Sequence, residues 1–162
     1  MENLEIFKGI PLFQDLTKPE LVKVSGICQK VQTRPGEAVF AAGAAGDALY
    51  VVREGRVAVV KPAEEEAEEV VAELGPGEIF GEMALFGREW RTATIRAVKE
   101  TRLFRIKREY FERLMDEDHE LALKIYRLIN LILTDRLRET TDRLATANRI
   151  IRAASLSRKE KE

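Results

Sequence analysis

The residues with the clearest chemical potential lie together in residues 80–94, which read Phe-Gly-Glu-Met-Ala-Leu-Phe-Gly-Arg-Glu-Trp-Arg-Thr-Ala-Thr. Gly81 permits close backbone approach, a short helix after it would direct free N–H groups at an anion, and Arg91 carries a planar guanidinium suited to phosphate oxygens. Glu82 is the exception, because a carboxylate beside an anion site costs free energy unless a specific donor binds it. A ribose hydroxyl would be such a donor. The segment therefore predicts a site for a phosphate carried on a ribose.

Short strands are the elements that must position this segment. From Ile27 to Ile106, apolar β-type runs alternate with breaks that contain glycine, and regular short strands with turn signals are typical of a barrel or sandwich. The first 26 residues predict short helices that cover one end of the core. The strand-like runs are Val39–Phe40, Ala48–Val52, Val57–Val60, Val70–Ala72, Thr94–Ala97 and Leu103–Ile106.

After Lys107 the sequence becomes helical, with a short helix over about residues 108–115 and then one long helix to about residue 154. The second part of the long helix carries an apolar seam whose members follow alternating four- and three-residue steps. An intramolecular bundle could cover this seam, but little sequence is left for one, so we expect a homodimer. The seam consists of Leu133, Leu137, Thr140, Leu144, Ala147 and Ile151.

The motif Phe-Gly-Glu-x-Ala-Leu, followed by Arg-Thr-Ala-Thr and preceded by ordered glycines, resembles the phosphate-binding segment of the cyclic nucleotide-binding domain family. From about residue 5 to 155 the chain is also similar to the sensor half of the catabolite activator protein family. The resemblance implies an α+β fold, an antiparallel β-roll of the double-stranded β-helix type with short N-terminal helices and a long C-terminal dimerisation helix. The implied domains are residues 1–118 for nucleotide binding, 119–155 for the dimerisation and signalling helix, and 156–162 for a charged tail.

The resemblance also implies a role for individual residues of the segment. Glu82 would accept the ribose 2′-hydroxyl, and Gly81 would approach the sugar. Ala84 would donate its amide to the phosphate, Arg91 would pair with the phosphate charge, and Thr92 would add a hydroxyl or amide contact. The ligand-binding residues of this segment are then Gly81, Glu82, Met83, Ala84, Arg91 and Thr92.

The identity of the base depends on other positions. A threonine directly after the arginine resembles cyclic-GMP-dependent kinases, whereas bacterial cyclic-AMP sensors carry a serine there. Aligning the dimer helix puts Thr140 and Thr141 where the catabolite activator family has two hydroxyl residues that meet the adenine amino group. Thr140 is costly within an apolar seam unless it finds a partner, so we favour cyclic AMP over cyclic GMP. Val71 is expected to contact the base from the barrel wall, the alternative being a core valine.

One position departs from the pattern of the eukaryotic kinases in this family. Many of them have proline before the arginine, whereas this chain has Trp90. We expect Trp90 to pack within its loop rather than to stack on the base.

Composition argues against several other classes of protein. The net charge of -1 gives no global basic field for nucleic acid, and no apolar run is long enough to span a bilayer or to act as a secretion signal, so we expect a cytoplasmic protein without membrane contact. A metal-dependent barrel enzyme needs clustered histidines, and His119 stands alone in a polar helix start. We therefore predict no catalytic residue, no metal and no haem.

Together these features predict a homodimeric cyclic nucleotide sensor, not an enzyme, that signals to a protein partner by rearranging its helices. Direct DNA binding is not expected, because the sequence ends at Glu162 without a winged helix-turn-helix. The chain could equally be the sensor half of a longer transcription regulator. A dimerisation module without ligand binding is a further alternative, which Glu82 and Arg91 argue against because neither charge helps a barrel core.

Overall fold

The computed structural model of the chain describes residues 4–62, 67–87 and 90–159. These residues form eight strands in two four-stranded sheets, preceded by short helices and followed by two further helices. The chain divides into two compact units, residues 1–124 and 125–162. The predicted antiparallel β-roll with a long C-terminal helix is confirmed.

The N-terminal residues form helix α1 (Glu5–Lys8), a 3₁₀ turn (Pro11–Phe13) and helix α2 (Lys18–Ile27). Helix α2 begins after Thr17, whose backbone amide donates to Oε2 of Glu20 at 2.7 Å, so the first turn of the helix is capped. These helices close one end of the first unit.

The strands pair antiparallel throughout, in the orders β1-β8-β3-β6 and β2-β7-β4-β5. All six predicted runs lie in strands, and two strands, β1 and the two-residue β6, extend the prediction. Strand β5 carries one extra residue opposite β4, because Val59 pairs with Ala72 and Val60 with Val70. The strands are β1 (Cys28–Thr33), β2 (Ala38–Phe40), β3 (Ala48–Glu54), β4 (Val57–Pro62), β5 (Glu68–Leu74), β6 (Ile79–Phe80), β7 (Thr94–Ala97) and β8 (Thr101–Lys107).

The core between the two sheets explains why these runs form strands. Residues 48–52 of β3 are all buried, as expected of a strand that lies between two others in its sheet. Strand β3 contributes Tyr50 and Val52, which pack with apolar side chains of the opposite sheet such as Val57 and Ile95. The core thus fixes β3 and also β7, which begins at Thr94, the last residue of the predicted segment.

Helix α3 (Arg108–Glu117) and helix α4 (His119–Lys159) complete the chain, and α4 continues past the predicted boundary at residue 155. The helices are separated at Asp118, whose side chain accepts a hydrogen bond from the amide of Leu121 at 3.0 Å. In the second unit Ile125 is buried, whereas α4 from Leu137 onward is exposed. None of the described helices is long and apolar enough to cross a membrane. Residues 160–162 of the predicted tail lie outside the described residues.

Candidate functional site

The predicted segment forms a sharp turn followed by a short helix. Strand β6 ends at Phe80, and Gly81 adopts the left-handed conformation with φ +74° and ψ +11°, which glycine adopts without strain. A 3₁₀ helix then spans Glu82–Leu85, and the buried side chains of Ala84 and Leu85 anchor it to the core. Residues 88 and 89 of the segment lie outside the described residues.

Arg91 returns from the far side of this turn into the interior, where its side chain is only 7% exposed. Its Nη1 donates to the carbonyl of Gly81 at 3.2 Å, and its Nη2 donates to the carbonyl of Ala48 at 3.0 Å. Its backbone is fixed as well, since its amide donates to Ala44 O and its carbonyl accepts from Gly43 N, both at 2.8 Å. The guanidinium therefore lies beside the Gly81 turn and at the end of β3.

Arg91 is a buried cation without an ion-pair partner in the described part of the chain. Among the described residues no carboxylate lies within 4.0 Å of its guanidinium, and its Nε is buried without a hydrogen-bond partner. Burial lowers the pKa of Arg91, although a guanidinium stays protonated in proteins. A buried positive charge that only neutral groups compensate is costly, and a bound phosphate would offset that cost.

Aromatic rings that the sequence did not single out surround the guanidinium. Its Cζ lies 4.0 Å from the ring centroid of Phe40 and 5.8 Å from that of Tyr50. Gly46 is also a close neighbour, because a Cβ built there would lie 3.1 Å from both Nε of Arg91 and Cβ of Ala84. The sequence carries no signal for this arrangement, because Phe40 and Tyr50 lie far from Arg91 along the chain and meet it only through the pairing of the strands.

The structure brings the predicted residues of the segment together. Glu82 opens the 3₁₀ helix and is half-buried, and Met83 is exposed beside Thr92, whose hydroxyl lies 3.6 Å from the Met83 sulfur. The amide of Ala84 donates to Gly81 O at 3.2 Å, a long contact that a phosphate oxygen would have to share or replace. The grouping of Gly81, Glu82 and Arg91 matches the prediction, while their roles toward a ligand stay predictions.

The remaining predicted residues lie on other elements. Val71 is the extra residue of the bulge in β5 and is half-buried, and bulges commonly redirect a side chain. Thr140 and Thr141 are exposed on α4, and the Thr141 hydroxyl donates to Leu137 O at 2.8 Å. Their contacts with a base stay predictions.

The expectation for Trp90 was wrong. Its side chain is 64% exposed, so it does not pack within its loop. Its backbone bridges to Ala45, which keeps the chain extended and directs the side chains of Trp90 and Arg91 to opposite sides. The charged neighbour takes the interior, and the tryptophan is left facing outward.

The described residues contain no group of three or more His, Cys, Asp or Glu side chains that could hold a metal ion. His119 is exposed at the start of α4. The donor set of the site consists instead of backbone groups, one carboxylate and one guanidinium, which suits a sugar phosphate rather than a cation.

Known proteins are similar to this chain in both sequence and fold. The family model of the cyclic nucleotide-binding domain matches residues 30–118, more than half of the chain. The crystal structure of a cyclic nucleotide-binding domain from Methylobacillus flagellatus superposes with a TM-score of 0.77 at 28% identity, covering 86% of this chain and 79% of that one. The chain therefore belongs to the cyclic nucleotide-binding domain family, which confirms the predicted resemblance.

Two relatives indicate the range of proteins in which this domain occurs. The cyclic AMP receptor protein of Thermus thermophilus is 36% identical over 132 residues, which cover 82% of this chain and 59% of that protein. A cGMP-dependent protein kinase of Drosophila melanogaster, isozyme 2, is 34% identical over 95 residues, which cover 58% of this chain and 10% of the kinase. The chain thus spans only part of the length of either relative.

Proposed function

We propose that this protein is a non-enzymatic sensor that binds a cyclic nucleotide, cyclic AMP in preference to cyclic GMP, and signals as a homodimer. The observation that carries the proposal is the guanidinium of Arg91, buried beside the left-handed turn at Gly81 with no carboxylate within 4.0 Å among the described residues. A buried cation whose hydrogen-bond partners here are two neutral carbonyls is retained at a cost in stability, which a site for an anionic ligand explains.

The cyclic phosphate would lie between Arg91 and the start of the 3₁₀ helix. A guanidinium offers five N–H donors, and two of those of Arg91 are used by the carbonyls of Gly81 and Ala48. The remaining donors, with a backbone amide such as that of Ala84, would bind the phosphate oxygens. Glu82, at the first position of the helix, would accept the ribose 2′-hydroxyl, with Met83 and Thr92 flanking the sugar phosphate.

The preference for cyclic AMP rests on helix α4 and on the bulge in β5. Thr140 and Thr141 would meet the adenine amino group across the dimer, and Val71 would contact the base from the barrel side. The Thermus relative is named for cyclic AMP and the Drosophila kinase for cGMP. Thr92 is the feature that favours guanine, so the two nucleotides must be compared directly.

Signalling would follow from the elements after the strands. Binding at the Gly81 turn would shift α3 and the start of α4, changing how the exposed parts of two α4 helices pair and how a downstream protein partner is contacted. Such a shift requires that the nucleotide bind the two arrangements with different affinities. In this scheme residues 1–118 bind the nucleotide and residues 119–155 pair and signal.

The first experiment is calorimetric titration of the purified chain with cyclic AMP and with cyclic GMP in parallel. Binding of either at micromolar or lower Kd supports the sensor, and tighter binding of cyclic AMP supports the proposed base. If neither nucleotide binds, the protein is not a cyclic nucleotide sensor, and the dimerisation module becomes the better explanation.

The matched variants are Arg91→Ala and Arg102→Ala. Arg91→Ala removes a charge-assisted phosphate contact worth roughly 1.5–3 kcal/mol, which weakens binding about tenfold to a hundredfold or more. Arg102 is an exposed β8 residue whose ion pair with Glu54 lies on the surface, so its loss should leave both affinity and fold unchanged. Equal affinity of the Arg91→Ala variant and the wild type would refute the assignment of the site.

A further inference from the structure

The ring of Phe40 lies directly beneath the buried guanidinium of Arg91. Phe40 is the last residue of β2, and its centroid lies 4.0 Å from Cζ of Arg91. The ring is itself supported by Tyr50 of β3 and Phe80 of β6, whose centroids lie 5.7 Å and 5.9 Å away. Tyr50 and Phe80 stack on each other at 5.1 Å with an interplanar angle of 3°. Three strands thus contribute to one aromatic group beside the guanidinium.

An aromatic ring restrains a guanidinium in a way that leaves its donors free. The N–H bonds of arginine lie in the plane of the group, so a ring that contacts its face does not compete for hydrogen bonds. The carbonyls of Gly81 and Ala48 occupy one donor each on Nη1 and Nη2. The Nε of Arg91 is buried and has no hydrogen-bond partner among the described residues. Three N–H donors of the group therefore remain beyond those two hydrogen bonds, one each on Nη1, Nη2 and Nε.

A carboxylate could also orient Arg91, but it would neutralise the charge that an anion needs. None lies within 4.0 Å of the guanidinium in the described part of the chain. The negative face of an aromatic ring attracts the cation while leaving its net charge intact. The side chain with this geometry is Phe40, since Tyr50 lies farther from the cation at 5.8 Å.

We propose that Phe40 is a positioning residue for anion binding, which holds the Arg91 guanidinium in place so that its remaining N–H donors can bind the phosphate. This inference rests on the proposed function of Arg91 as the phosphate-binding cation. Without the ring, the guanidinium would have to be ordered when the nucleotide binds, and ordering one such side chain weakens binding by about two- to tenfold.

The test is graded fluorination of Phe40, with one, two and three ring fluorines introduced as non-natural phenylalanines. Each fluorine withdraws charge from the face of the ring with little change of shape, so the cation–π attraction falls in steps. The Kd for cyclic AMP should rise with each step, reaching about two- to tenfold above the wild type. The same series at Phe13, a buried residue whose ring contacts Phe7 at 5.8 Å, is the control and should leave the Kd unchanged.

A spectroscopic measurement examines the stack without any nucleotide. In ¹⁵N-arginine-labelled protein, the Nε–H resonance of Arg91, assigned by its loss in Arg91→Lys, should be displaced by the ring current of Phe40. The displacement should disappear in Phe40→Leu, which keeps the apolar packing but removes the ring. Thermal melting of each variant shows whether it is folded.

The outcomes separate this inference from the proposed function. If the wild type binds a nucleotide and the fluorination series at Phe40 is flat, or the Nε–H resonance shows no ring-current displacement, Phe40 does not position Arg91 although the sensor function stands. If the wild type binds neither nucleotide, the proposed function fails and the positioning role fails with it. A graded loss at Phe40, a flat series at Phe13 and a displaced resonance together support the inference.

Discussion

In this site, a residue that suits ligand binding can lower the stability of the fold. The Arg91 guanidinium is buried with no carboxylate within 4.0 Å among the described residues, and what offsets its desolvation is two backbone carbonyls and the face of Phe40. A buried cation with incomplete compensation lowers the free energy of unfolding. In the proposed function the same incompleteness would leave electrostatic attraction available for an anionic ligand, so that binding is gained at the expense of stability.

The turn at Gly81 leaves no space for a side chain beside the Arg91 guanidinium. Its φ of +74° already disfavours other residues, and a Cβ placed there would lie 2.7 Å from Nη1 of Arg91 and 3.0 Å from Ala48 O. Alanine at position 81 should therefore displace the guanidinium as well as strain the backbone. We predict that Gly81→Ala weakens cyclic AMP binding at least tenfold by calorimetry and lowers stability by about 1–2 kcal/mol in urea unfolding.

The control for Gly81→Ala is Gly36→Ala. Gly36 has a similar φ of +82°, but a Cβ there would meet nothing within 4 Å. This variant should lose stability through backbone strain alone and bind the nucleotide like the wild type. Equal loss of affinity in both variants would show that the effect comes from general destabilisation and not from crowding of Arg91.

At the residue scale the sequence predicts what is chemically out of place but not what surrounds it. Glu82 and Arg91 could be recognised because they stand in a glycine-containing motif that resembles a phosphate-binding segment, in which a ribose hydroxyl and a phosphate would give each charge a partner. The contact of Phe40 with Arg91 could not, because it joins positions far apart in the chain and depends on strand registry. The exposure of Trp90 follows from the alternation of side chains along an extended chain: because Arg91 faces the interior, its neighbour Trp90 faces outward.

At the scale of elements, the runs that the sequence predicted as strands are those with long apolar stretches. The five consecutive buried residues of β3 and the valines of β4 leave a clear pattern. The two residues of β6 are too few to form such a pattern. The bulge in β5 at Val71 depends on the pairing of β5 with β4, which the sequence of one strand alone does not encode.

Helix α2 is joined to the start of α4 by a partly buried ion pair between Glu20 and Lys124. Lys124 Nζ donates to both carboxylate oxygens of Glu20 at 2.9 Å, and Glu20 also accepts the amide of Thr17. Burial raises the pKa of Glu20, but the hydrogen bonds from Lys124 and Thr17 outweigh it and hold the pKa below its ordinary value. The carboxylate is therefore bound more strongly in the folded than in the unfolded chain.

This pair predicts a pH-dependent contribution to stability. Because the folded pKa is lowered, the contribution is complete above the ordinary carboxyl pKa of roughly 4.3 and is lost as the pH falls through the folded value. Glu20→Gln, which keeps a side chain able to cap α2, should cost roughly 0.5–1.5 kcal/mol at pH 7 in urea unfolding. The difference from the wild type should shrink steadily below pH 4.5.

A suitable comparison is Glu5→Gln, which breaks the exposed i,i+3 pair with Lys8. Exposed pairs of this kind contribute little, so its effect should stay below about 0.5 kcal/mol at every pH. A cost of Glu20→Gln that does not change between pH 7 and pH 4 would mean that shape and packing, rather than the charge, account for its contribution.

At the scale of the whole molecule, the second part of α4 leaves apolar side chains uncovered. Leu137, Leu144 and Ile151 are 67%, 60% and 62% exposed, and they belong to the seam that the sequence predicted from alternating four- and three-residue steps. Monomeric proteins seldom expose apolar rows of this kind. In the proposed homodimer, a second copy of the same helix would present a matching row.

The proposed dimer can be tested with two matched variants of α4 that should differ in oligomeric state. Leu144→Asp places a charge in the seam and should convert the protein to a species of 18.4 kDa in sedimentation equilibrium, whereas the wild type sediments at twice that mass. Leu131→Asp makes the same change at an exposed residue on a different face of the helix and should leave the dimer intact. A dimeric Leu144→Asp variant would refute the seam. A monomeric variant that still binds cyclic AMP with wild-type affinity would keep the seam but refute contact of Thr140 and Thr141 with the base, because that contact is made across the dimer.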